Sequence, residues 1–357
     1  MKKAVAILLA VVFALSAAAC GASQTAAPTQ TKAPANTTTG DTTTKTETPA
    51  ENTPVEKTLL KFNFTKTSTD PNYDMWCQFA EKLGEASEGT IEMEVYTSEA
   101  LGATKDVVEM ISQGAYMVAD IDGSFLQDYV ADYGLYMYPY LLEKPEDIYT
   151  VWNSDWGRNL DEQLRAHGLH LMVNTYFGTR NLITSKPVNS RADLKSLTIR
   201  FANTKMYNAI GNTVFGSSVT NTAWSETYMA LSQGVADGAD PPFHLMYSAK
   251  LYEVCKYVAL TEHVVTGTIL VMSEDVYNSL PEAGKKAIDE WARDYAENVM
   301  CEQAYSVEQS FRANLEENGV TVTEVDKTPF MEAAKEMMSE FPEFSEGAYD
   351  LIKGLIS

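Results

Sequence analysis

The sequence predicts an α/β protein with a mostly parallel sheet, on the basis of three patterns. Residues 59–122 alternate strand-like and helix-like segments in the order β-α-β-α-β. A second set of strand-like runs begins at Leu169, and the segment from Pro281 to Asn318 keeps apolar residues at helical spacing throughout. Alternation of this kind places helices on both faces of a mostly parallel sheet.

The first set of elements is defined by changes in hydrophobic period. Apolar and polar residues alternate in the strand-like runs, whereas apolar residues recur every three or four positions in the helix-like runs. The predicted elements are a strand at Leu59–Phe64, a helix at Tyr73–Ala86, a strand at Ile91–Tyr96, a helix at Lys105–Gln113 and a strand at Ala115–Ile121.

Three loops of this first set are expected to meet at one rim. In parallel α/β sheets, ligands bind beyond the carboxyl ends of the strands. The loops 67–70, 98–101 and 120–124 each follow a predicted strand, and Asp120 and Asp122 belong to the last of them. Because carboxylates accept hydrogen bonds, these two residues are candidates for contacting hydroxyl or amino groups of a ligand.

The second set of elements is less regular. Its predicted strands are Leu169–Tyr176, Thr198–Phe201 and Thr268–Met272, and its predicted helices are Lys205–Gly211 and Ser225–Gln233.

The longest predicted helix spans Pro281–Asn318. Proline suits the first turn of a helix, and the inward-facing stripe consists of Ile288, Trp291, Tyr295 and Val299. At about 1.5 Å per residue, such a helix is longer than a typical domain is wide, so it would run across both halves of the molecule. Two helices separated by a kink fit the same pattern.

The N-terminus has the layout of a secretory signal. Lys2 and Lys3 precede an apolar run too short for a transmembrane helix, and small residues precede Cys20. We predict a signal peptide at 1–19 and lipid attachment at Cys20; a signal peptide cleaved nearby, with Cys20 unmodified, is the alternative. Residues 20–58 are rich in Thr and Pro and predict a disordered tether. The protein is therefore expected outside the cytoplasm, held as a lipoprotein on the outer face of the cytoplasmic membrane.

Composition limits the remaining possibilities. The 299 residues after position 58 suffice for two lobes, and a net charge of −22 excludes nucleic-acid binding through general electrostatics. Cys77, Cys255 and Cys301 are predicted to be buried free thiols, although one disulfide plus one thiol fits the count. His167 and His170 lack neighbours at metal-ligand spacing and are expected to be exposed. No metal and no cofactor are predicted.

Two arginines, Arg180 and Arg200, lie in apolar, strand-like surroundings. No Asp or Glu occurs in the twenty positions after Arg200. A buried guanidinium without an anionic partner is destabilising, and a ligand carboxylate would match its paired donors. We therefore predict that Arg200 anchors a carboxylate ligand and that Arg180 contributes to the site. A structural ion pair is the alternative for both arginines.

Further candidates flank these arginines. Asn203 is expected to make a polar ligand contact, and Trp224 to form a flat wall of the site or to lie in the core. Tyr138 is another candidate contact. Glu226 and Asp237 are interpreted as structural, one near a helix start and the other in an Asp-Gly turn.

Six segments carry a resemblance to a known family. They are Gly89-Thr90-Ile91, Leu101-Gly102, Tyr138–Leu141, Gly178–Asn181, Leu197–Arg200 and the block Trp224–Gly238. On these segments the chain, from about Leu59 to its end, resembles the solute-binding subunits of tripartite ATP-independent periplasmic (TRAP) transporters, which include C4-dicarboxylate-binding proteins. The last block is the longest and most specific of the matches.

The resemblance implies a two-lobed clam-shell, similar to periplasmic binding proteins, with one long helix spanning both lobes. Lobe I would comprise 59–178 with about 262–305, and lobe II 179–261 with about 306–357. It also implies a small organic acid as ligand, the membrane subunits of a TRAP permease as partners, and a salt bridge from Arg200 to the ligand carboxylate. A monomer is expected.

One departure from the family pattern concerns specificity. Where the family has Asp-Gly-x-Glu-Asn-Pro, this chain has Asp237-Gly238-Ala239-Asp240-Pro241-Pro242. Asp240 takes the place of the glutamate and is retained as a candidate ligand-binding residue. Pro241 takes the place of an asparagine that faces the ligand, and proline offers no amide side chain and no N–H.

Three classes of function are compared. A binding protein that delivers an organic acid to a permease accounts for the tether, the two lobes and the arginines together. A lipoprotein that senses its ligand for a signalling receptor accounts for the same residues. A secreted enzyme would need catalytic groups, and the chain contains neither G-x-S-x-G nor H-E-x-x-H. We therefore predict a binding protein and no enzymatic activity.

Overall fold

The computed structural model describes residues 57–357, so the predicted signal peptide, Cys20 and all but the end of the 20–58 tether lie outside the described residues. Nine strands of this part form one mixed sheet in the order β2-β1-β3-β8-β4-β7-β5-β6, with β9 paired to β8. They are β1 Thr58–Asn63, β2 Ile91–Tyr96, β3 Met117–Ile121, β4 Leu169–Thr184, β5 Thr198–Phe201, β6 Ser218–Asn221, β7 Gly238–Ala239, β8 Tyr257–Ser273 and β9 Thr321–Glu324.

Helices cover the sheet. They are α1 Tyr73–Ala86, α2 Thr104–Ser112, α3 Gly123–Leu126, α4 Pro145–Trp152, α5 Asp155–Arg165, α6 Lys205–Ala209, α7 Thr227–Ser232, α8 Phe243–Ser248, α9 Glu274–Ser279, α10 Glu282–Lys286, α11 Arg293–Tyr295, α12 Cys301–Glu317, α13 Thr328–Met337 and α14 Ala348–Ile356. Short 3-10 turns lie at Ala131–Met137, Arg191–Ser196, Trp224–Glu226, Leu251–Glu253 and Met338–Glu340.

The predicted β-α-β-α-β series is confirmed. Strand β1 pairs in parallel with both β2 and β3. The predicted bounds of α1 and β2 match those observed, because their hydrophobic period is unbroken. Helix α1 buries Trp76, Phe79 and Leu83 against the sheet. This packing leaves the carboxyl ends of β1 and β3 free to face the same rim.

The centre of the sheet differs from the prediction. Strands β4 and β8 form one long antiparallel pair, so the sheet is mixed, although five of the eight strand pairings among the described residues are parallel. The predicted strands in this region are too short. Almost all of β4 is buried, and register shifts at Tyr176/Gly178 and Arg180/Leu182 interrupt its alternation, so a period of two is not visible in its sequence. The predicted lobe boundaries at 178 and 261 fall inside these two strands.

The prediction of a single long helix is confirmed. Helices α10, α11 and α12 are joined without a break by two π-helical segments, Ala287–Ala292 and Ala296–Met300. The carbonyl of Ala296 accepts hydrogen bonds from the Tyr149 hydroxyl (3.0 Å) and the Thr175 hydroxyl (3.3 Å). These contacts fasten the middle of the helix to α4 and to β4.

Apolar side chains form three clusters that follow this layout. One packs α1 and the start of the long helix against β1 and β2, and another packs α8 and the end of α12 against β7 and the start of β8. The third lies against α2, α4, α6 and α13. No helix among residues 57–357 is both long enough and apolar enough to cross a membrane.

The cysteine and histidine predictions are only partly right. Cys77, Cys255 and Cys301 are free thiols, but of the three only Cys255 is fully buried. His167 is exposed, whereas the expected exposure of His170 is wrong, because residue 170 lies on β4 and not on a helix surface. Its Nδ1 atom is 2.8 Å from Glu274 Oε2. Within the described range, no group of three His, Cys, Asp or Glu residues could hold a metal ion.

Candidate ligand-binding site

A cavity of about 460 Å³ lies where the predicted rim was expected. It is bounded by residues that follow β1 and β3 on one side and by residues of β5 and the loop after β6 on the other. Polar and charged side chains share its wall with Phe125, Phe177 and Trp224. The charged members are Lys66, Glu99, Lys105, Asp106, Asp120, Asp122, Arg180, Arg200 and Glu226.

Arg200 is the buried cation of this wall that has no carboxylate partner within residues 57–357. It lies on β5, is 4% exposed, and donates hydrogen bonds to the carbonyl and the hydroxyl of Thr222. Its guanidinium carbon lies 5.5 Å from the ring centre of Trp224. Burial lowers the pKa of Arg200 to about 10, because the carboxylates around it are too distant to compensate. At neutral pH the residue is therefore a charged, desolvated donor facing a cavity.

Arg180 lies on the same wall but is neutralised by the protein. Its Nε and Nη2 atoms donate to the two oxygens of Asp240 at 2.9 and 3.0 Å, and its guanidinium carbon lies 4.9 Å from the ring centre of Tyr207. Burial disfavours the cation, but the ionic contact with Asp240 outweighs this effect and raises the pKa of Arg180. Burial likewise disfavours the ionised Asp240, whose pKa Arg180 and His263 nevertheless hold well below its usual range.

The opposite wall is acidic. Asp120 is buried, receives an ion pair from Lys66 Nζ at 2.6 Å and accepts a hydrogen bond from the Thr268 hydroxyl at 2.6 Å. Asp122 accepts from the Tyr207 hydroxyl at 2.7 Å and from the Ser124 amide at 2.9 Å, both neutral donors. Asp122 therefore has no cationic hydrogen-bond partner among the described residues.

One hydrogen bond crosses the cavity mouth. Glu99, in the loop after β2, accepts from the Ser225 hydroxyl at 2.6 Å, and Ser225 belongs to the turn Trp224–Glu226. Ser98 and Glu99 both have positive φ angles, of 61° and 56°, a conformation that residues other than glycine seldom adopt. The loop thus holds the Glu99 carboxylate at the edge of the cavity.

Four of the six predicted ligand-binding residues line this cavity. Arg180, Arg200, Asn203 and Trp224 are brought together there, as are the secondary candidates Asp120 and Asp122. Asp240 lies behind the wall as the partner of Arg180.

Tyr138 lies away from the cavity. It is buried and donates a hydrogen bond to the carbonyl of Ala334 on α13. Glu226 lines the cavity although it was interpreted as structural, whereas Asp237 accepts from the Thr198 amide at 2.9 Å and holds the turn before β7.

Several lining residues were not singled out from the sequence. Lys66 and Phe177 form a cation–π contact at 4.6 Å, and Thr222 holds Arg200 in place. Glu99 lies within the predicted rim loop 98–101, and Lys66 lies one residue before the predicted rim loop 67–70. Their position after predicted strands was an available signal. No sequence signal pointed to Thr222, because the strand before it, β6, is not among the predicted strands.

The fold and the site together are those of a protein that binds a small molecule in a cavity. A mixed α/β sheet with a polar cavity at the carboxyl ends of its strands binds small molecules in this manner. Residues 62–343 match the family model described as bacterial extracellular solute-binding protein, family 7. The chain belongs to this family.

Individual relatives agree with this assignment. The chain is 27% identical to the sialic acid-binding periplasmic protein SiaP of Vibrio cholerae over 80% of its own length and 88% of that protein. It is similar to the crystal structure of a TRAP periplasmic solute-binding protein from Ochrobacterium anthropi with bound L-fuconate, with 30% identity, a TM-score of 0.80, and coverage of 84% of this chain and 100% of that one.

Two further structures are similar to the same extent. One is a TRAP solute-binding protein from Actinobacillus succinogenes with bound L-galactonate, at 28% identity, a TM-score of 0.77, and coverage of 84% and 99%. The other comes from Fusobacterium nucleatum with bound sn-glycerol 3-phosphate, at 26% identity, a TM-score of 0.79, and coverage of 83% and 96%. The two-lobed fold and the recognition as a TRAP solute-binding protein are thereby confirmed.

Proposed function

We propose that this protein captures a small organic acid in the cavity, with the ligand carboxylate bound to Arg200, and delivers it to a TRAP-type permease. The observation that carries the proposal is the buried guanidinium of Arg200, which faces the cavity with no carboxylate partner within residues 57–357. A ligand carboxylate supplies the missing charge and accepts the donors that Thr222 leaves free.

Ligand binding would also join the two sides of the cavity. Arg200 belongs to β5, whereas Asp120 belongs to the end of β3 and Asp122 directly follows that strand. A solute that contacts both sides favours the closed arrangement by its higher affinity for that state. In this proposal the lobes are those predicted from the sequence, 59–178 with about 262–305 and 179–261 with about 306–357. Their motion relies on the crossing strands β4 and β8.

The solutes of similar proteins support an acid. The structures from Ochrobacterium anthropi and Actinobacillus succinogenes contain sugar acids, and the one from Fusobacterium nucleatum contains a phosphate ester. An arginine fork matches both carboxylate and phosphate. We favour the carboxylate because Arg200 is the single buried cation of the described cavity that is not already paired, and a carboxylate carries a single charge.

The cellular context of the proposal rests on the N-terminal sequence. Lipid attachment at Cys20 would hold the mature protein, as a monomer, on the outer face of the cytoplasmic membrane, with residues 20–58 as a tether reaching the permease subunits. Delivery to a signalling receptor instead of a permease is the alternative that uses the same site. Membership in a family of binding proteins argues against enzymatic activity.

The proposal is tested by calorimetric titration of the purified protein. The ligand set would comprise sugar acids, C4-dicarboxylates, sn-glycerol 3-phosphate and neutral D-galactose. We expect an acid to bind and Arg200→Ala to abolish that binding. Arg312→Ala, which removes an exposed arginine of α12, should bind as the unmodified protein does. Binding of galactose, or unchanged acid binding by Arg200→Ala, would contradict the proposal.

A further inference from the structure

Most of the cationic side chains that line the cavity already form ion pairs with carboxylates of the protein. Lys66 pairs with Asp120 at 2.6 Å, Arg180 with Asp240 at 2.9 Å, and Lys105 with Asp128 at 2.8 Å. Within residues 57–357, this leaves Arg200 as the lining cation without a carboxylate partner. The wall can therefore neutralise one ligand anion, and a second would have no cation to meet.

The carboxylates that line the cavity differ from its cations, because most of them form no ion pair within the described residues. Asp106, Glu226, Glu99 and Asp122 line the cavity, and none of them forms an ion pair with another residue of the described part of the chain. The first two are exposed at the surface, where water screens them. Glu99 and Asp122 are half-buried and are held in position by neutral donors. Neutral hydrogen bonds orient a carboxylate without cancelling its charge.

Glu99 and Asp122 come from different strand ends than Arg200 but line the same cavity. Asp122 follows β3 and Glu99 follows β2, whereas Arg200 lies on β5, four strands away from β3 in the sheet order. The Glu99 carboxylate nevertheless reaches Ser225, beside the Trp224 ring that packs on Arg200, and Asp122 reaches Tyr207, whose ring packs on Arg180. A solute whose carboxylate lies on Arg200 therefore has both acidic side chains around its remaining atoms. There the protein offers mainly acceptors.

One further group is unsatisfied. Thr266 lines the cavity and is 1% exposed, and its hydroxyl has no hydrogen-bond partner among the described residues. An unpaired buried hydroxyl is destabilising, so a polar group of the ligand is the expected partner. The cavity is therefore suited to a ligand that carries hydrogen-bonding groups along its length as well as one anionic group.

We infer that the site selects acids with a single carboxylate whose remaining atoms carry hydroxyl or ammonium donors, and that Glu99 and Asp122 reject a second carboxylate. This inference rests on the proposed function, because it takes Arg200 as the anchor. It assigns Glu99 and Asp122 as specificity-determining residues. It also separates this chain from proteins that bind C4-dicarboxylates.

The test compares acids that differ at one end only. Suitable pairs are gluconate with glucarate, erythronate with tartrate, and 4-aminobutyrate with succinate, each titrated calorimetrically into the unmodified protein. Like charges brought together in a poorly solvated site are strongly unfavourable, so for the pair that binds best we expect the diacid to bind at least about 100-fold more weakly.

Two isosteric variants locate the effect. Glu99→Gln removes the charge and keeps an acceptor for Ser225. Asp122→Asn removes the charge and keeps one oxygen for the Ser124 amide, and the Tyr207 hydroxyl can accept from the new amide group instead of donating. We expect each to strengthen diacid binding about tenfold relative to the matched monoacid. Glu81→Gln, an exposed carboxylate of α1 outside the cavity, should leave the ratio unchanged.

The outcomes separate this inference from the proposed function. If a diacid binds as tightly as its monoacid partner and Arg200→Ala abolishes both, the proposed function stands and the selectivity inference is overturned. An unchanged ratio in both isosteric variants would overturn the assignment of Glu99 and Asp122. If no acid binds to the folded protein, the proposed function and this inference both fail.

Discussion

Arg180 and Arg200 lie on the same wall of one cavity, but only the charge of Arg180 is neutralised by a carboxylate of the described residues. Both are buried, at 8% and 4% exposure, and both pack on an aromatic ring. Arg180 has a bidentate carboxylate partner, whereas within residues 57–357 Arg200 has only the neutral oxygens of Thr222. The comparison teaches that burial alone does not mark a ligand-binding arginine. What marks it is the missing counter-charge.

Removing the partner of Arg180 should have the largest effect on stability. Asp240→Ala leaves a buried guanidinium unpaired, and we expect the free energy of unfolding to fall by about 3–5 kcal/mol. The measurement is chemical denaturation of the ligand-free protein. Arg180→Met combined with Asp240→Leu removes both charges and should cost far less. Equal losses in the single and double variants would show that Arg180 and Asp240 do not act as a pair.

Replacing Arg200 should change the free energy of unfolding only slightly, in either direction. Arg200→Met replaces an unpaired buried cation with an apolar chain of similar length, so the ligand-free protein should change by less than about 1 kcal/mol or become more stable. The same denaturation experiment measures it. A loss as large as that of Asp240→Ala would mean that Arg200 is a structural residue, and the contrast between the two arginines would disappear.

Gly178 tests the packing that supports the Arg180–Asp240 pair. A β-carbon on this residue would lie 2.6 Å from the ring of Pro242, two positions after Asp240. Gly178→Ala should therefore lower the free energy of unfolding by about 1–3 kcal/mol. Gly354→Ala on α14 is the control, because its β-carbon would meet no atom within 4 Å. Comparable losses in the two variants would exclude the contact with Pro242 as the cause.

The smallest expected effect concerns pH. The pKa of Arg200, lowered by burial to about 10, still leaves the residue charged at neutral pH, and its bound carboxylate partner favours that charged form. Acid binding should therefore change less than about twofold between pH 6 and 9 and weaken as pH rises through about 10. Titrations at pH 6, 7.5, 9 and 10.5, with circular dichroism to confirm folding, measure this. A loss between pH 6 and 8 would instead indicate that a histidine controls binding.

Much of the site could be predicted because it lies at strand ends. Strand β5 has a short, clear hydrophobic pattern, which identified Arg200 as buried and Asn203 as a residue of the following loop. The rim loops containing Glu99 and Asp122 followed from the regular β-α-β-α-β series in the same way. Local pattern was sufficient wherever the chemistry depended on a single element.

What could not be predicted depends on contacts between distant segments. The partner of Arg180 is 60 positions away, so Asp240 was placed in the site and not behind it. Tyr138 is a candidate ligand contact from the sequence, but its hydroxyl donates to a carbonyl of α13, almost 200 positions later. The second half of β4 is irregular because register shifts interrupt its alternation. The hydrophobic period of a single segment carries no information about such contacts.

The crossing strands have a consequence for how this protein is made. The half of the sheet that begins with β1 includes the far end of β8, since β3 pairs with residues 269–272, and β9 in turn pairs with the near end of β8. During synthesis, the first half cannot complete its sheet until the second half has largely emerged from the ribosome. Neither lobe can therefore be completed from one continuous stretch of the chain, and no single cut in the gene would yield one lobe free of residues of the other.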